Sequence, residues 1–78
     1  KMYPNPSVGL VSFEITLDNQ SDVNLSIYNS IGKLVKEHAF ENIHESTLDI
    51  NLSDLNKGIY FINIQTKNGL LTKTITLF

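Results

Sequence analysis

Ser12-Phe13-Glu14-Ile15-Thr16-Leu17 is a stretch in which polar and apolar side chains alternate without interruption. A period of two places Phe13, Ile15 and Leu17 on one face of a half-buried β-strand. The pattern returns at residues 22–27, 47–52 and 71–77. These runs are rich in the β-branched and aromatic residues that pleated sheets favour. The sequence therefore predicts an all-β fold.

Turn-forming residues separate the alternating runs by about 8–12 residues, a spacing that is typical of β-sandwiches. Polar clusters predict that residues 18–21 and 29–32 each close a hairpin. Asn68-Gly69 lies between two strand patterns and is the strongest hairpin signal in the chain. Residues 33–41 are predicted as a further strand, with room for a bulge, that runs into a polar loop over residues 41–46.

One segment is predicted to form a single helical or 3₁₀ turn instead of a strand. It begins at Ser53, an N-cap residue, and ends at Gly58, while Leu55 is expected to point into the core. Tyr60 follows at the start of the next predicted strand, residues 59–65. Its position resembles the tyrosine corner of immunoglobulin-like sandwiches, and an ordinary core tyrosine is the alternative.

These elements predict the architecture of one small domain. With a candidate first strand at residues 8–11, we expect an immunoglobulin-like antiparallel β-sandwich of about seven strands. The alternative is a small open barrel. A chain of 78 residues leaves no room for a second core, so residues 1–78 are expected to be a single domain.

Composition excludes several classes of function. The net charge is −2 and all basic residues are lysines, which does not fit the basic stripe and arginine contacts of nucleic-acid binders. The longest apolar run is far shorter than the ~20 residues of a membrane-spanning helix, so we expect no membrane insertion. Cysteine is absent, which excludes disulfides and thiolate metal sites.

Neither a catalytic motif nor a cofactor motif stands out in the sequence. The chain has no nucleophile elbow, and its histidines lie in the least regular stretch. Asp18 and Asp22 flank a turn but lack the spacing of a calcium loop. The remaining metal candidates sit in a polar segment that favours a solvated loop over a metal site: they are His38, Glu41, His44 and Glu45. We therefore expect no enzyme activity, no metal and no cofactor.

A recognition role remains after catalysis is set aside. A structural or adhesive sandwich is one possibility, and a carbohydrate-binding accessory module is another. Sugar-binding modules usually present a platform of exposed aromatic rings, often tryptophan, and this chain has no tryptophan. The aromatic residues that the pattern leaves partly exposed do not cluster in sequence: they are Tyr3, Tyr28, Phe40, Phe61 and Phe78.

Three stretches, taken in their order and spacing, resemble a known family. Tyr3-Pro4-Asn5-Pro6 opens the domain, residues 23–35 read VNLSIYNSIGKLV, and residues 52–62 read LSDLNKGIYFI. A terminal strand that contains a lysine follows them. This order resembles the type A C-terminal sorting domain of cargo proteins of the type IX (Por) secretion system in Bacteroidetes.

The resemblance implies that residues 1–78 are a C-terminal sorting domain, with an immunoglobulin-like fold, excised from a larger exported protein. Such cargo passes through the periplasm and then reaches the cell surface or the extracellular space. The implied partners are the outer-membrane translocon of the type IX secretion system and a sortase-like peptidase that removes the domain. We expect the domain itself to be a monomer.

The resemblance also marks individual residues. Those that match family positions with a structural role are Tyr3, Pro4, Asn5, Pro6, Gly32, Leu55, Gly58 and Tyr60. Lys73 interrupts the apolar face of the terminal strand, whose end is apolar and unprotected, and such an edge can accept an added strand. The candidate translocon-recognition residues are therefore Lys73, Thr74, Ile75, Thr76, Leu77 and Phe78. Family members often carry further basic residues at this end, whereas this chain does not.

Overall fold

The computed structural model of the chain describes residues 9–78 and, in addition, the backbone of Met2 and Tyr3. Five β-strands form one antiparallel sheet, so the all-β prediction is confirmed. The strands are β1 (Met2–Tyr3), β2 (Leu10–Asn29), β3 (Leu34–Asn51), β4 (Gly58–Thr66) and β5 (Gly69–Leu77). The described residues contain no helix that is long and apolar enough to cross a membrane.

Strand β2 is the organising element, because three other strands pair with it. The first half of β2 pairs with β1 through Ser12 and Phe13, and with the end of β3 through residues 10–16. Its second half pairs with the start of β3 and, over residues 24–29, with β4. Strand β5 then pairs with β4 along its whole length. The strand order is β1-β2-β4-β5, with β3 on β2.

The long hairpin of β2 and β3 must bend. A flat strand with the 20 residues of β2 would span about 66 Å, whereas the longest dimension of the molecule is 35 Å. The pairing of β2 with β3 shifts register between Thr16 and Ser21 and again between Ser21 and Val23. Such irregularities bend and twist a strand, so they mark the place where the hairpin turns.

Polar contacts hold both strands at the bend. Asn42 of β3 has a φ of 53°, which is rare outside glycine, and its backbone N–H donates to Oδ1 of Asp22 at 3.2 Å. Ile43 lies opposite Ser21, whose side chain is buried. The bend in β2 and the backbone irregularity in β3 therefore fall at the same level of the ladder.

Both halves of the bent sheet contribute to one hydrophobic core. Val11, Phe13 and Ile50 come from the half that carries β1, and Leu25 and Ile62 come from the half that carries β4. Burial of one such side chain stabilises the fold by about 1.5–3 kcal/mol. The remaining members of the buried cluster are Val23, Ile27, Leu48, Leu52, Tyr60, Ile64, Ile75 and Leu77.

The predicted sandwich of about seven separate strands is not confirmed. The hairpin turn predicted at residues 18–21 is wrong, because β2 continues through it as a bent strand. The polar loop predicted at 41–46 is wrong for the same reason, since β3 runs from Leu34 to Asn51. The turns predicted at 29–32 and around Asn68 are confirmed, and both connect adjacent antiparallel strands.

The segment predicted as a capped helical turn is a single hydrogen-bonded turn. The N–H of Leu55 donates to the carbonyl oxygen of Leu52 at 3.0 Å, and no helix is formed there. The predicted N-cap role of Ser53 is wrong: Oδ1 of Asn51 accepts from the N–H of Ser53 at 2.9 Å. The polar side chain that precedes the turn thus takes the capping role.

Several predictions fall outside the described residues. These are the roles of Pro4, Asn5 and Pro6 and the start of the candidate strand at 8–11, while for Tyr3 only the backbone is described.

Candidate functional site

The candidate site is the hairpin of β4 and β5 together with Phe78, which directly follows β5. The two strands pair without a register shift from Gly58↔Leu77 to Thr66↔Gly69. Lys67 and Asn68 form the turn, and the N–H of Asn68 donates to Oγ1 of Thr66 at 3.2 Å. The hairpin predicted around Asn68 is thus formed, with Lys67-Asn68 as its two-residue loop and Gly69 as the first residue of β5, opposite Thr66.

Ser21 ties this hairpin to the bend of β2. Its hydroxyl donates to the carbonyl oxygen of Asp22 at 2.8 Å and accepts from the N–H of Lys67 at 3.0 Å. Ser21 itself is buried, and both contacts are partly buried. Ser21 therefore adds a side-chain contact at the hairpin turn to the backbone pairing of β4 with β2.

The inner face of β5 changes character along its length. Ile75 and Leu77, at 0% and 5% exposure, are packed in the core, where Ile75 lies opposite Tyr60. Lys73 and Leu71 lie on the same face but are exposed, Leu71 at 53%. The lysine that interrupts the apolar pattern therefore marks the point where β5 leaves the core.

The candidate recognition residues divide into two groups. Ile75 and Leu77 are core residues, and their side chains cannot be contacted from outside the folded domain. Lys73 and Thr74 are exposed, Thr76 is half-buried, and Phe78 is 63% exposed. Only this second group offers side chains to a partner.

A tyrosine corner is present at the start of β4. The hydroxyl of Tyr60 donates to the carbonyl oxygen of Asn56, four residues upstream, at 2.7 Å. Leu55, within the same turn, is half-buried and packs against the core, as predicted. The corner prediction for Tyr60 is therefore confirmed over the alternative of an ordinary core tyrosine.

The turn between β2 and β3 is built around an asparagine and a glycine. Oδ1 of Asn29 accepts from the N–H groups of Ile31 and Lys33, and the N–H of Gly32 donates to the carbonyl oxygen of Asn29 at 3.0 Å. Gly32 has a φ of 86°, a region that residues with a Cβ rarely adopt. Gly58 also has a positive φ, at 145°. The turn roles that the sequence assigns to these glycines agree with the structure.

Gly9 is a structural residue that the sequence pattern does not single out. Its φ is 123°, and a Cβ at this position would lie 2.7 Å from the Cα of Ser53. Its carbonyl oxygen accepts from the N–H of Leu52 at 2.6 Å. The start of β2 thus packs directly on the chain that follows β3, a contact between segments far apart in sequence.

Charge is divided unevenly between the two hairpins. From Leu10 to Asn51 the sequence has seven acidic residues against two lysines, a net charge of −5. From Gly58 to Phe78 it has two lysines and no acidic residue. The terminal hairpin is therefore a cationic element on an otherwise acidic domain.

The described residues show one ion pair, which connects β3 to the turn before β4. Nζ of Lys36 donates to Oδ1 of Asp54 at 2.7 Å and to the carbonyl oxygen of Asn51 at 3.0 Å. The hydrogen bond from Lys36 holds the pKa of the Asp54 carboxyl below its ordinary value. The aspartate side chain is 68% exposed, so water screens the pair.

The weak metal candidates of β3 do not converge. Across the described part of the chain, no group of three or more His, Asp or Glu side chains is placed to hold a metal ion. His38 packs against Phe40 with ring centroids 6.4 Å apart, whereas Glu41, His44 and Glu45 are exposed.

Two aromatic residues that are far apart in the sequence lie side by side on the outer face of the sheet. Tyr28 of β2 lies directly opposite Phe61 of β4, with Leu34 of β3 on the other side of Tyr28. Phe61 is 37% and Leu34 42% exposed, whereas Tyr28 is half-buried. Residues 33 positions apart in the chain therefore form one exposed apolar row.

Comparison with known proteins gives two matches. The family model described as "Secretion system C-terminal sorting domain" matches residues 1–77. The chain is also 34% identical over 74 residues, 94% of its length, to a protein named ulvan lyase NLR42 from Nonlabens ulvanivorans. The chain spans only 13% of the length of that relative.

Proposed function

Since the chain belongs to the family of secretion system C-terminal sorting domains, we infer that it is the secretion signal of a longer cargo protein. The observation that carries this conclusion is the family match over residues 1–77. The domain is a C-terminal signal for type IX secretion, and such signals send proteins to the cell surface or the extracellular space. A sorting domain is a recognised element and not a catalyst.

The finer steps of export belong to the same proposal. The cargo passes through the periplasm, the outer-membrane translocon binds the folded domain, and a sortase-like peptidase removes it. Residues 1–78 act as a monomer at the carboxyl end of the precursor. The Tyr60–Asn56 corner and the shared core of the two sheet halves support an immunoglobulin-like arrangement, in which each half of the bent sheet forms one layer.

The translocon reads the exposed side chains of the terminal strand. Lys73, Thr74 and Phe78 are the contact residues, and the half-buried Thr76 contributes at the margin. Ile75 and Leu77 have a structural role, because their burial stabilises the packing of β5 on the core. Strand β5 stands last in the strand order of the described residues.

A reporter fusion tests the proposed function. Residues 1–78 are fused to the carboxyl end of a folded reporter that enters the periplasm by its own signal peptide, in a host with a type IX system. The domain should carry the reporter into the medium, and deletion of the translocon should abolish this transfer. Retention in the periplasm at the level of the reporter alone would refute the proposal.

One observation favours a second candidate function, binding of carbohydrate. The Tyr28–Phe61 pair lies beside a polar row, in which Oγ1 of Thr72 donates to Oδ1 of Asn63 at 2.8 Å. Ring faces next to amide and hydroxyl groups are typical of sugar platforms, and the relative from Nonlabens ulvanivorans is named as a lyase of ulvan. Calorimetry with ulvan oligosaccharides tests this function. Binding that is lost in the Phe61→Ala variant would support it, and no heat of binding would exclude it.

A further inference from the structure

A groove of about 640 Å³ runs beside the first half of β2. Residues 13–17 line one side of it without a gap, and the end of the terminal hairpin lines the other. The face of a strand presents only every second side chain, so five consecutive residues indicate that β2 turns its edge toward the groove. The residues of the hairpin wall are Ile64, Thr66, Asn68, Gly69, Leu70, Leu71 and Lys73.

The edge that faces the groove is the one on which β1 lies. The opposite edge of β2 is occupied by β3, because Ile15 lies opposite Ser46 and Thr16 lies opposite Glu45. In the described part of the chain, strand β1 pairs with β2 at Ser12 and Phe13. Among the described residues, no strand continues this pairing along Ile15, Thr16 and Leu17.

We propose that the groove holds the segment that directly precedes Lys1 in the exported precursor, as a continuation of β1. This proposal rests on the proposed function, which makes the domain the end of a longer chain. The antiparallel register Met2↔Phe13 and Tyr3↔Ser12 fixes the geometry. A segment that stays in this ladder places the residue before Lys1 opposite Ile15 and the third residue before Lys1 opposite Leu17.

The walls of the groove define the chemistry of this segment. Residues opposite one another in an antiparallel pair project to the same face, so the first and third residues before Lys1 face the groove with Ile15 and Leu17. Ile64 is buried there and Leu71 is 53% exposed, which favours apolar side chains at both positions. Among the described residues of the lining, Lys73 is the one basic side chain and Glu14 the one acidic side chain. Charge therefore contributes little to the choice of segment, and binding of the segment depends on backbone hydrogen bonds to β2 and on apolar contacts.

The docked segment gives the groove a role in processing. When the segment before Lys1 pairs with β2, it is an ordered strand and not a flexible linker. Peptidases cleave ordered strands poorly. Release of the segment from β2 would therefore precede cleavage between cargo and domain. Lys73, the proposed translocon contact, lies in the opposite wall of the same groove.

Hydrogen exchange on the full precursor tests this proposal, with peptides that cover residues 14–17. The N–H of Leu52 donates to the carbonyl oxygen of Gly9, so in this register Ile15 directs its backbone groups toward β3 and Thr16 directs its own toward the groove. Proline at the second position before Lys1, opposite Thr16, therefore removes a ladder hydrogen bond and leaves residues 1–78 intact. Exchange at 14–17 should then become at least about tenfold faster, with β4 unchanged. The same exchange rate in the proline variant and in the unaltered precursor would overturn the proposal.

A second pair of variants tests the groove wall itself. Leu71→Asp places a charge in the groove, whereas Ile59→Asp places one on the outer face of β4 at a similar exposure, 49% against 53%. Only Leu71→Asp should speed exchange at 14–17. Equal acceleration by both variants, or by neither, would contradict the docked segment. Exchange is measured on purified precursor, so this result is independent of whether the domain directs export.

Discussion

The hydroxyl of Tyr60 donates to the carbonyl oxygen of Asn56 at 2.7 Å, and this bond joins the start of β4 to the turn before it. Tyr60 is 6% exposed, and the bond is partly buried. We expect Tyr60→Phe to lower the free energy of unfolding by about 0.5–1.5 kcal/mol, because the fold loses a partly buried hydrogen bond. Tyr28→Phe is the control, since the Tyr28 hydroxyl makes no hydrogen bond to the described residues and its loss should change little. Urea denaturation measures both, and equal effects would contradict the corner.

Gly9 allows the start of β2 to approach the chain at Ser53. Gly9→Ala would place a Cβ 2.7 Å from the Cα of Ser53, and the backbone would have to move apart. Gly69→Ala is the matched control, since its φ of 138° is also positive but nothing lies within 4 Å of its Cβ. Thermal denaturation should show a loss of about 1–2 kcal/mol for Gly69→Ala and a clearly larger loss for Gly9→Ala. The opposite ranking would exclude close packing at Ser53.

Ser21 connects the bend of β2 to the terminal hairpin. Ser21→Ala leaves the N–H of Lys67 without its acceptor in a partly buried contact, so we expect a loss of about 1–3 kcal/mol in stability. Ser26→Ala, in the same strand, is the control. Amide exchange around Lys67 should speed up in the first variant and not in the second. Unchanged exchange at Lys67 would show that the serine does not anchor the hairpin.

The ion pair of Asp54 predicts that the free energy of unfolding depends on pH under acidic conditions. The pKa of Asp54 is lowered in the folded state by the hydrogen bond from Lys36, so the folded protein favours the ionised form. The stabilisation is therefore complete above the ordinary pKa of an aspartate, about 4, and is lost as the pH falls through the lower folded value. Denaturation curves across this range should show a steeper acid loss in the unaltered protein than in Asp54→Asn. The effect should be small, since the carboxylate is 68% exposed, and identical pH profiles would contradict it.

Periodicity predicted the strands well and their boundaries poorly. Alternation identified the buried faces of β2 and of the end of β3, because a period of two depends only on local geometry. It also predicted a turn at residues 18–21, where polar residues instead bend a continuous strand. Whether Asp22 closes a turn or holds a bend depends on its contact with Asn42, twenty residues away, which local pattern does not contain.

The sequence predicted which segment forms the candidate site, but not which side chains of that segment are exposed. The resemblance indicated residues 73–78. A strand has two faces, and the residues of the inner face are buried only where the other half of the sheet covers them. Ile75 and Leu77 are covered and Lys73 is not, although all three lie on one face. The contact between Gly9 and Ser53 was missed for a related reason, since close approach of distant backbones leaves no periodic signal.

Secretion of matched surface variants tests the central claim, that the translocon reads the exposed part of the terminal strand on the folded domain. The test variant combines Lys73→Glu with Phe78→Ser. Its control combines Lys67→Glu, which makes the same charge change in the same hairpin, with Ile31→Ser, which removes an even more exposed apolar side chain, 85% against 63%. Circular dichroism and thermal denaturation confirm that both variants remain folded.

The deciding measurement is the fraction of a fused reporter that reaches the medium in a host with a type IX system. The Lys73→Glu/Phe78→Ser variant should leave the reporter in the periplasm at the level of the reporter without the domain, while the control variant should secrete it normally. Normal secretion of the Lys73→Glu/Phe78→Ser variant would contradict recognition at this end of the chain.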